Sequence, residues 1–305
     1  MGLCVGGTFS HILRGFLVMA LRLLVVEGNV QEARAVQKTT FGKTAAESYA
    51  DTLCMLAPGA ACDICLPADA GSNLPDSGGL DGYDGVVITG SGLNLYDGGP
   101  EIERQIELAR AIYRSGAAFF GSCWGLQVAA AAAGGSVMKN PLGREVGFAR
   151  NIHVTEAGRH HPLLAGRPAA FDAPCLHLDI VTLPPEDAII LASNAHAVVQ
   201  AAEIRYEGGT FWGVQYHPEY SLSEIAAIMG RRAKMLTEDG IFASEEEGRR
   251  YCKDLRVLEK APERRDIAWR LGLQPEVIDP YLRLTELRNW LTHRVRPLKV
   301  LRGRA

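Results

Sequence analysis

The sequence predicts an α/β fold: a mostly parallel central sheet with helices on both faces, followed by a helical C-terminal extension. Three continuous apolar runs, at residues 21–27, 85–89 and 117–120, have the pattern of strands that are buried on both faces. Helical patterns separate these runs. Alternating strands and helices are typical of a parallel sheet that is covered on both sides.

The helices of the first half are delimited by their end signals. The helix predicted at residues 100–115 begins with Pro100, which suits the first helical position, and it ends at Gly116, which suits a left-handed cap. Apolar residues recur along one face of this helix, at Ile102, Ile106, Ala109 and Tyr113. The other predicted elements are helices at 44–56 and 124–133, a strand at 61–66, and a polar connection after the first strand.

After residue 136 the pattern changes to short strands separated by turns. Such strands are typical of antiparallel additions at a sheet edge, and they are predicted at 150–155, 188–193, 197–204 and 211–216. A helix is predicted at 222–236, so residues 19–244 can form one domain. Residues 1–18 are expected to be a disordered leader, or to precede a true start at Met19.

Residues 245–305 are predicted to form a basic helical extension. Residues 249–305 carry 15 basic and 7 acidic side chains, a net charge of +8, which leaves −11 for residues 1–248. A helix is expected around 263–271, and Asp279-Pro280 is a good start for another. The second helix has an apolar stripe at Tyr281, Leu284, Leu287 and Leu291, with Trp290 beside it. The stripe favours docking onto the acidic domain or a partner protein over nucleic-acid binding.

The bulk composition argues against several classes of protein. A net charge of −3 and a pI near 6.3 give no overall attraction to nucleic acid or to a membrane. The seven scattered cysteines favour free thiols in a reducing compartment, so a cytoplasmic location is expected. Cys62 and Cys65 have the spacing of half a zinc site, but no second pair completes it, and no metal is expected.

The sharpest chemical feature is the segment Phe-Phe-Gly-Ser-Cys-Trp-Gly at residues 119–125. A buried strand ends there, a glycine-flanked turn follows, and a helix begins, which is the cysteine version of a nucleophile elbow. The turn lifts the Cys123 side chain clear of the sheet. The helix N-terminus favours the thiolate form. We therefore interpret Cys123 as a nucleophile.

A thiolate nucleophile needs a base, and the base needs a group that orients it. Two His-x-acid segments offer both: His217 with Glu219, and His177 with Asp179. Residues i and i+2 of an extended chain point to the same side, so each carboxylate could reach its own imidazole. Spacing alone does not choose between the two pairs.

Two segments resemble the signatures of class I glutamine amidotransferases: Gly-Ser-Cys-Trp-Gly-Leu-Gln at 121–127 and Gly-Val-Gln-Tyr-His-Pro-Glu at 213–219. Residues 143–148 and 177–182 fall between them in the expected order, and residues 87–92 stand where the family has its oxyanion loop. The resemblance covers about residues 21–238 and is closest to the glutaminase domain of GMP synthase. It implies a flavodoxin-like fold. No nucleotide-binding motif is complete, so a stand-alone glutaminase without a cofactor is expected.

The resemblance also implies a role for each site residue. Cys123 would be the nucleophile, His217 the general base and acid, and Glu219 the carboxylate that orients His217. The backbone N–H groups of Ser91 and Trp124 would form the oxyanion hole. The residues that would bind the substrate are Gly90, Gly92, Gln127, Leu176 and His177.

Three functions stay open at this point. The first is a glutaminase that hydrolyses the side-chain amide of glutamine through a Cys123 thioester and supplies ammonia to a synthetase on a separate chain. Leu176 and Leu178 replace the serine and glycine usual in GMP synthase-like relatives, and this departure motivates the second, a partner-independent γ-glutamyl amide hydrolase. The third is a catalytically silent binding or regulatory module, which the intact Cys123, His217 and Glu219 disfavour.

Overall fold

The computed structural model of this chain describes residues 20–72, 74–75 and 77–303. The leader predicted at residues 1–18 lies outside the described residues. The strands are β1 Arg22–Val26, β2 Ala61–Cys65, β3 Gly85–Ile88, β4 Ala118–Ser122, β5 Ser136–Lys139, β6 Glu145–Val154, β7 Ala170–His177, β8 Asp179–Leu183, β9 Ala188–Ser193, β10 Ala201–Tyr206 and β11 Gly209–Val214.

Helices cover both faces of the sheet and make up the C-terminal part. They are α1 Gln31–Phe41, α2 Ala45–Leu56, α3 Ser77–Leu80, α4 Pro100–Ser115, α5 Trp124–Ala132, α6 Glu156–Arg159, α7 Leu222–Arg231, α8 Ala233–Glu238, α9 Glu245–Lys260, α10 Arg265–Leu271, α11 Pro275–Ile278, α12 Pro280–Arg283, α13 Thr285–Trp290 and α14 Arg296–Leu301. A π-helical turn at Leu291–Val295 joins the last two. No helix of the described residues is long and apolar enough to cross a membrane.

Nine strands form one sheet in the order β2-β1-β3-β4-β11-β10-β9-β6-β7, and β5 pairs with β8 in a separate two-stranded sheet. The run from β2 to β11 is parallel, and β10, β9, β6 and β7 extend it with antiparallel pairings. Both the α/β fold class and the antiparallel extension of the parallel core are therefore confirmed.

Two sequence predictions about helices were wrong. The polar connection after β1 contains the helix α1, which buries little beyond Arg34 and so has no apolar stripe that the sequence could reveal. The single helix predicted at 222–236 is split into α7 and α8 at Arg232. Gly230 precedes the break, and glycine weakens a helix interior because its backbone has the most freedom to lose.

The C-terminal helices pack into the same hydrophobic core as the sheet. Leu287 and Trp290 are fully buried, and the Trp290 ring lies 5.7 Å from the ring of Phe120 on β4. Tyr281, the first residue of the predicted stripe, is 66% exposed. The boundary predicted at residue 244 stays a prediction, although the extension does dock onto the acidic part of the chain.

Candidate active site

Three neighbouring parallel strands end at the same edge of the sheet and place the candidate catalytic residues together. Register pairs link Ile88 of β3 to Gly121 of β4 and Gly213 of β11 to Gly121. Carboxyl ends of parallel strands meet at one edge, which is where α/β proteins bind ligands. Cys123 follows β4 directly and His217 follows β11 by three residues. The backbone N–H of Cys123 donates to the Val214 carbonyl at 2.8 Å.

The turn at Cys123 has the geometry expected of a nucleophile elbow. Cys123 has a φ of 54°, which is uncommon for a residue other than glycine. A Cβ added at Gly121 would lie 2.7 Å from the carbonyl carbon of Gly125, and one added at Gly125 would lie 2.4 Å from the oxygen of Ile88. Both flanking glycines are therefore required by close backbone approach.

His217 lies between Cys123 and Glu219. Its Nδ1 is 2.7 Å from Glu219 Oε1, and the Cys123 side chain lies near enough to raise the pKa of the imidazole. The imidazole is buried and stacks on the Tyr220 ring at 4.1 Å. Burial opposes the charged form, but the Glu219 charge and the Cys123 side chain outweigh it and raise the pKa of His217 to about 10. The imidazole is therefore held in its protonated form at neutral pH.

The carboxylate of Glu219 is itself held by a buried pair of hydroxyl groups. Ser122 Oγ donates to Glu219 Oε2 at 3.0 Å, and Tyr49 Oη lies 3.0 Å from Ser122 Oγ. Ser122 and Tyr49 are fully buried. Sequence analysis gave neither residue a role. Tyr49 comes from α2, far away in the chain, and there it has the pattern of an ordinary core residue.

The loop after β3 is fixed against the site by residues that carry no sequence signal. The Asn29 side chain accepts from the Gly92 N–H at 3.2 Å and donates to the Gly90 carbonyl at 3.3 Å and to Glu27 at 2.8 Å. A Cβ added at Gly90 would lie 2.5 Å from His217 Cε1. The glycine therefore lets the loop backbone lie directly against the imidazole.

The two candidate oxyanion donors come from segments that meet near Gly28. A Cβ added at Gly28 would lie 2.7 Å from Trp124 Cδ1 and 3.1 Å from Ser91 Cβ. Glycine at this position thus allows the Ser91 loop and the first residue of α5 to approach each other. The role of the two N–H groups stays a prediction.

The His177 segment forms another wall of the site but is not paired as one sequence alternative supposed. His177 Nε2 lies 2.8 Å from Glu145 Oε2, because β6 and β7 pair antiparallel with Glu145 directly opposite His177. Asp179 instead accepts a hydrogen bond from Tyr96 at 3.1 Å. The Leu176 carbonyl lies 3.8 Å from Cys123 Sγ. A His177–Asp179 pair is therefore excluded, and His177 lines the site.

These walls enclose a cleft of about 470 Å³. Gly90, Ser91, Gly92, Cys123, Gln127, Leu176, His177 and His217 all line it, whereas Trp124 and Glu219 lie behind the lining. Gln127 is held by a hydrogen bond from its Nε2 to the Asp179 carbonyl at 2.9 Å. Arg144, Arg231 and Arg232 also line the cleft, and sequence analysis did not single them out. Within the described ranges, no three His, Cys, Asp or Glu residues are grouped to hold a metal ion.

Comparison with known proteins identifies the family of this chain. Residues 63–232 match the family model described as glutamine amidotransferase class-I. The chain belongs to the class I glutamine amidotransferase family. It is 37% identical to a Pseudomonas γ-glutamyl-L-1-hydroxyisopropylamide hydrolase, over 73% of this chain and 75% of that protein. It is 28% identical to γ-glutamyl peptidase 3 of Arabidopsis thaliana, over 56% of this chain and 69% of that protein.

The chain is also similar to part of GMP synthase and to solved amidotransferase structures. GMP synthase of Streptomyces avermitilis is 31% identical over 44% of this chain, but the match spans only 23% of that enzyme. A glutamine amidotransferase structure from Thermotoga maritima superposes with a TM-score of 0.59 at 18% identity, covering 90% of this chain and 98% of that one. At that identity the likeness speaks for the fold alone.

Proposed function

We propose that this amidotransferase hydrolyses γ-glutamyl amides on its own, through a thioester on Cys123. The observation that carries the proposal is the buried Cys123–His217–Glu219 array at the floor of a cleft large enough for more than a side-chain amide. A nucleophile beside a base that is hydrogen-bonded to an orienting carboxylate is the arrangement that acyl transfer requires.

In this mechanism the Cys123 thiolate attacks the carbonyl carbon of the γ-amide. The N–H groups of Ser91 and Trp124 donate to the oxygen as it gains charge, and such a donor contributes on the order of 3–4 kcal/mol of transition-state stabilisation. The His217 imidazolium gives its proton to the leaving amine as the C–N bond breaks. A water molecule, deprotonated by His217, then attacks the thioester and releases glutamate.

The substituted amide is favoured over glutamine by the wall that faces the nucleophile. Leu176 and Leu178 are half-buried in this wall, and Ile228 of α7 adds a third apolar side chain to the lining. Apolar surface suits a substituent on the leaving nitrogen better than it suits free ammonia. Two relatives are named for γ-glutamyl hydrolysis or peptidase activity, which agrees with this preference.

A glutaminase that supplies ammonia to a separate synthetase is the second candidate. It was the first function that the sequence suggested, and the match to GMP synthases supports it. The chain spans only about a quarter of the length of those enzymes. Glutamine as the favoured substrate, together with stimulation by a partner, would distinguish this candidate.

The test is release of amine or ammonia from purified protein without any partner. Glutamine and γ-glutamyl isopropylamide are compared, and the Cys123→Ala variant is the blank. We expect Cys123-dependent release from the substituted amide, with kcat/KM above that for glutamine. Turnover of glutamine but not of the substituted amide would contradict the proposal and favour the second candidate, which stimulation by a partner would then have to establish. Release that persists in the Cys123→Ala variant would exclude the proposed mechanism.

A further inference from the structure

Three arginines line one part of the cleft. Arg231 is the last residue of α7 and Arg232 follows it, while Arg144 immediately precedes β6. All three line the same cleft as Cys123. Asp179 is the one acidic residue that the described part of the chain contributes to the cleft lining, so this lining has an excess of positive charge. We call Arg144, Arg231 and Arg232 the arginine wall.

The arginine wall is poorly compensated from within the protein. Arg144 Nε lies 3.6 Å from Asp239 Oδ2, yet this nitrogen is buried without a hydrogen-bond partner among the described residues. Among the residues that the structure describes, no carboxylate oxygen lies within 4 Å of the Arg231 or Arg232 guanidinium. Burial, and after it the charge of Arg231, lowers the pKa of Arg232; Tyr220 opposes this shift and Arg144 adds to it. Arg144 and Arg232 are partly buried, and Arg231 is exposed. An anionic ligand stabilises partly buried cations whose charge the protein does not fully compensate.

The charged groups of the γ-glutamyl part of a substrate do not neutralise the excess positive charge of the cleft lining. That group carries one α-ammonium, which Asp179 can pair with, and one α-carboxylate, which needs a single guanidinium. Glutamine or an amide of a neutral amine therefore leaves positive charge in the cleft unpaired. A leaving amine that bears its own carboxylate supplies the missing charge.

We propose that the arginine wall is an anion-binding subsite for a carboxylate on the leaving amine, so that γ-glutamyl amino acids and peptides are the preferred substrates. This inference rests on the proposed γ-glutamyl hydrolysis and names its substrate class. Guanidinium groups suit the role because they bind carboxylates through paired hydrogen bonds and stay charged.

The first test compares γ-glutamylalanine with γ-glutamylalaninamide, which differ only in a carboxylate against a carboxamide. We expect kcat/KM to favour the acid by about tenfold or more, since hydrogen bonds to charged groups are stronger than those to neutral groups. The double substitution Arg231→Gln and Arg232→Gln should abolish this preference, because it should lower kcat/KM for the acid more than kcat/KM for the amide. Arg250→Gln on α9 is the control, since Arg250 is exposed and does not line the cleft.

A second measurement keeps the inference separate from the proposed function. Iodoacetate and iodoacetamide alkylate the same thiol but differ in charge, so their rate ratio at Cys123 reports the field of the wall without any turnover. We expect the double variant to lower the iodoacetate to iodoacetamide ratio several-fold, and Arg250→Gln to leave it unchanged. If the ratio falls but no γ-glutamyl compound is hydrolysed, the proposed function fails and the anion subsite stands. The subsite proposal would be overturned if the acid and the amide were turned over equally and the double variant kept the iodoacetate to iodoacetamide rate ratio of the unmodified protein.

Discussion

The pKa of His217 links the geometry of the site to its chemistry. Burial would lower it, yet the Glu219 carboxylate and the Cys123 side chain raise it to about 10. The proton that His217 holds at neutral pH is the one that the leaving amine needs, and it is lost as the pH rises through about 10. Glu219 thus keeps the imidazolium charged as well as oriented.

The first prediction concerns Glu219→Gln. Without the negative charge, the pKa of His217 falls, so the alkaline limb of the kcat/KM profile should move from near pH 10 to lower pH. The loss of the orienting carboxylate should also reduce kcat by on the order of 10³- to 10⁴-fold. A pH–rate profile of both proteins measures the two effects. An unchanged alkaline limb would show that another group controls it.

The second prediction concerns the contact between Gly90 and His217. In Gly90→Ala the new Cβ would lie 2.5 Å from His217 Cε1, so the loop or the ring must shift. We expect kcat to fall by about 100-fold, because displacement of a catalytic group by about 1 Å has this effect. Gly92→Ala is the matched comparison, since a Cβ there meets no atom within 4 Å. Equal losses in the two variants would argue against the contact.

The candidate site could be predicted only in part from the sequence, and the division has a physical reason. Cys123 lies in a local strand–turn–helix pattern that consists of consecutive residues, so the sequence alone reveals it. The choice of His217 over His177 depends on which strand lies beside β4, a long-range property that spacing does not contain. The hydroxyl pair Ser122–Tyr49 and the arginine wall depend on packing between distant elements, so they appear only in three dimensions.

At the scale of elements, segments with strong periodicity and end signals were predicted best. Helix α4 occupies residues 100–115 as its proline and glycine signals indicate, and Gly116 takes the left-handed cap. The strand β7 was missed because Pro174 interrupts it, which ordinarily argues against a strand. Because β7 is the edge strand of the nine-stranded sheet, next to β6, it can accommodate a proline.

Helix α13 is tied to the strand end that carries His217 by a buried ion pair. Glu286 accepts from Arg167 Nε at 2.7 Å and from the Tyr216 hydroxyl at 2.9 Å, and it is fully buried. Tyr216 immediately precedes His217 in the chain. A buried carboxylate with these partners holds the extension and the site in one arrangement.

The third prediction is that Glu286→Gln destabilises the protein by about 3–5 kcal/mol, because it leaves the buried Arg167 guanidinium without its counter-charge. Urea unfolding measures the change in free energy. Glu263→Gln is the control, since Glu263 is exposed on the same extension. A cost below 1 kcal/mol would mean that Arg167 finds another partner.

At the scale of the whole molecule, the basic C-terminal extension packs against the acidic remainder of the chain. The basic extension covers the acidic remainder, and Lys299 Nζ reaches Asp84 at 2.9 Å and the Ala20 carbonyl at 2.7 Å. Leu287 and Trp290 belong to the same hydrophobic cluster as residues of β1 and β4. The extension therefore completes the core.

The fourth prediction follows for truncation after Ser244. Removal of the extension exposes the core surface under Trp290 and deletes Glu286, so we expect the truncated protein to lose cooperative thermal unfolding and to aggregate. Circular dichroism during heating measures this. A truncated protein with the melting temperature of the full chain would show instead that the extension is a separable unit.

The central claim is that Cys123 carries a γ-glutamyl thioester during turnover. Acid quenching of the full-length protein mixed with γ-glutamylalanine, followed by mass spectrometry of its peptides, tests this most directly. We predict a γ-glutamyl adduct on the peptide that contains Cys123, more abundant in the Glu219→Gln variant if hydrolysis of the thioester slows more than its formation. Undiminished hydrolysis by the Cys123→Ala protein, with no adduct on the wild-type peptide, would contradict it.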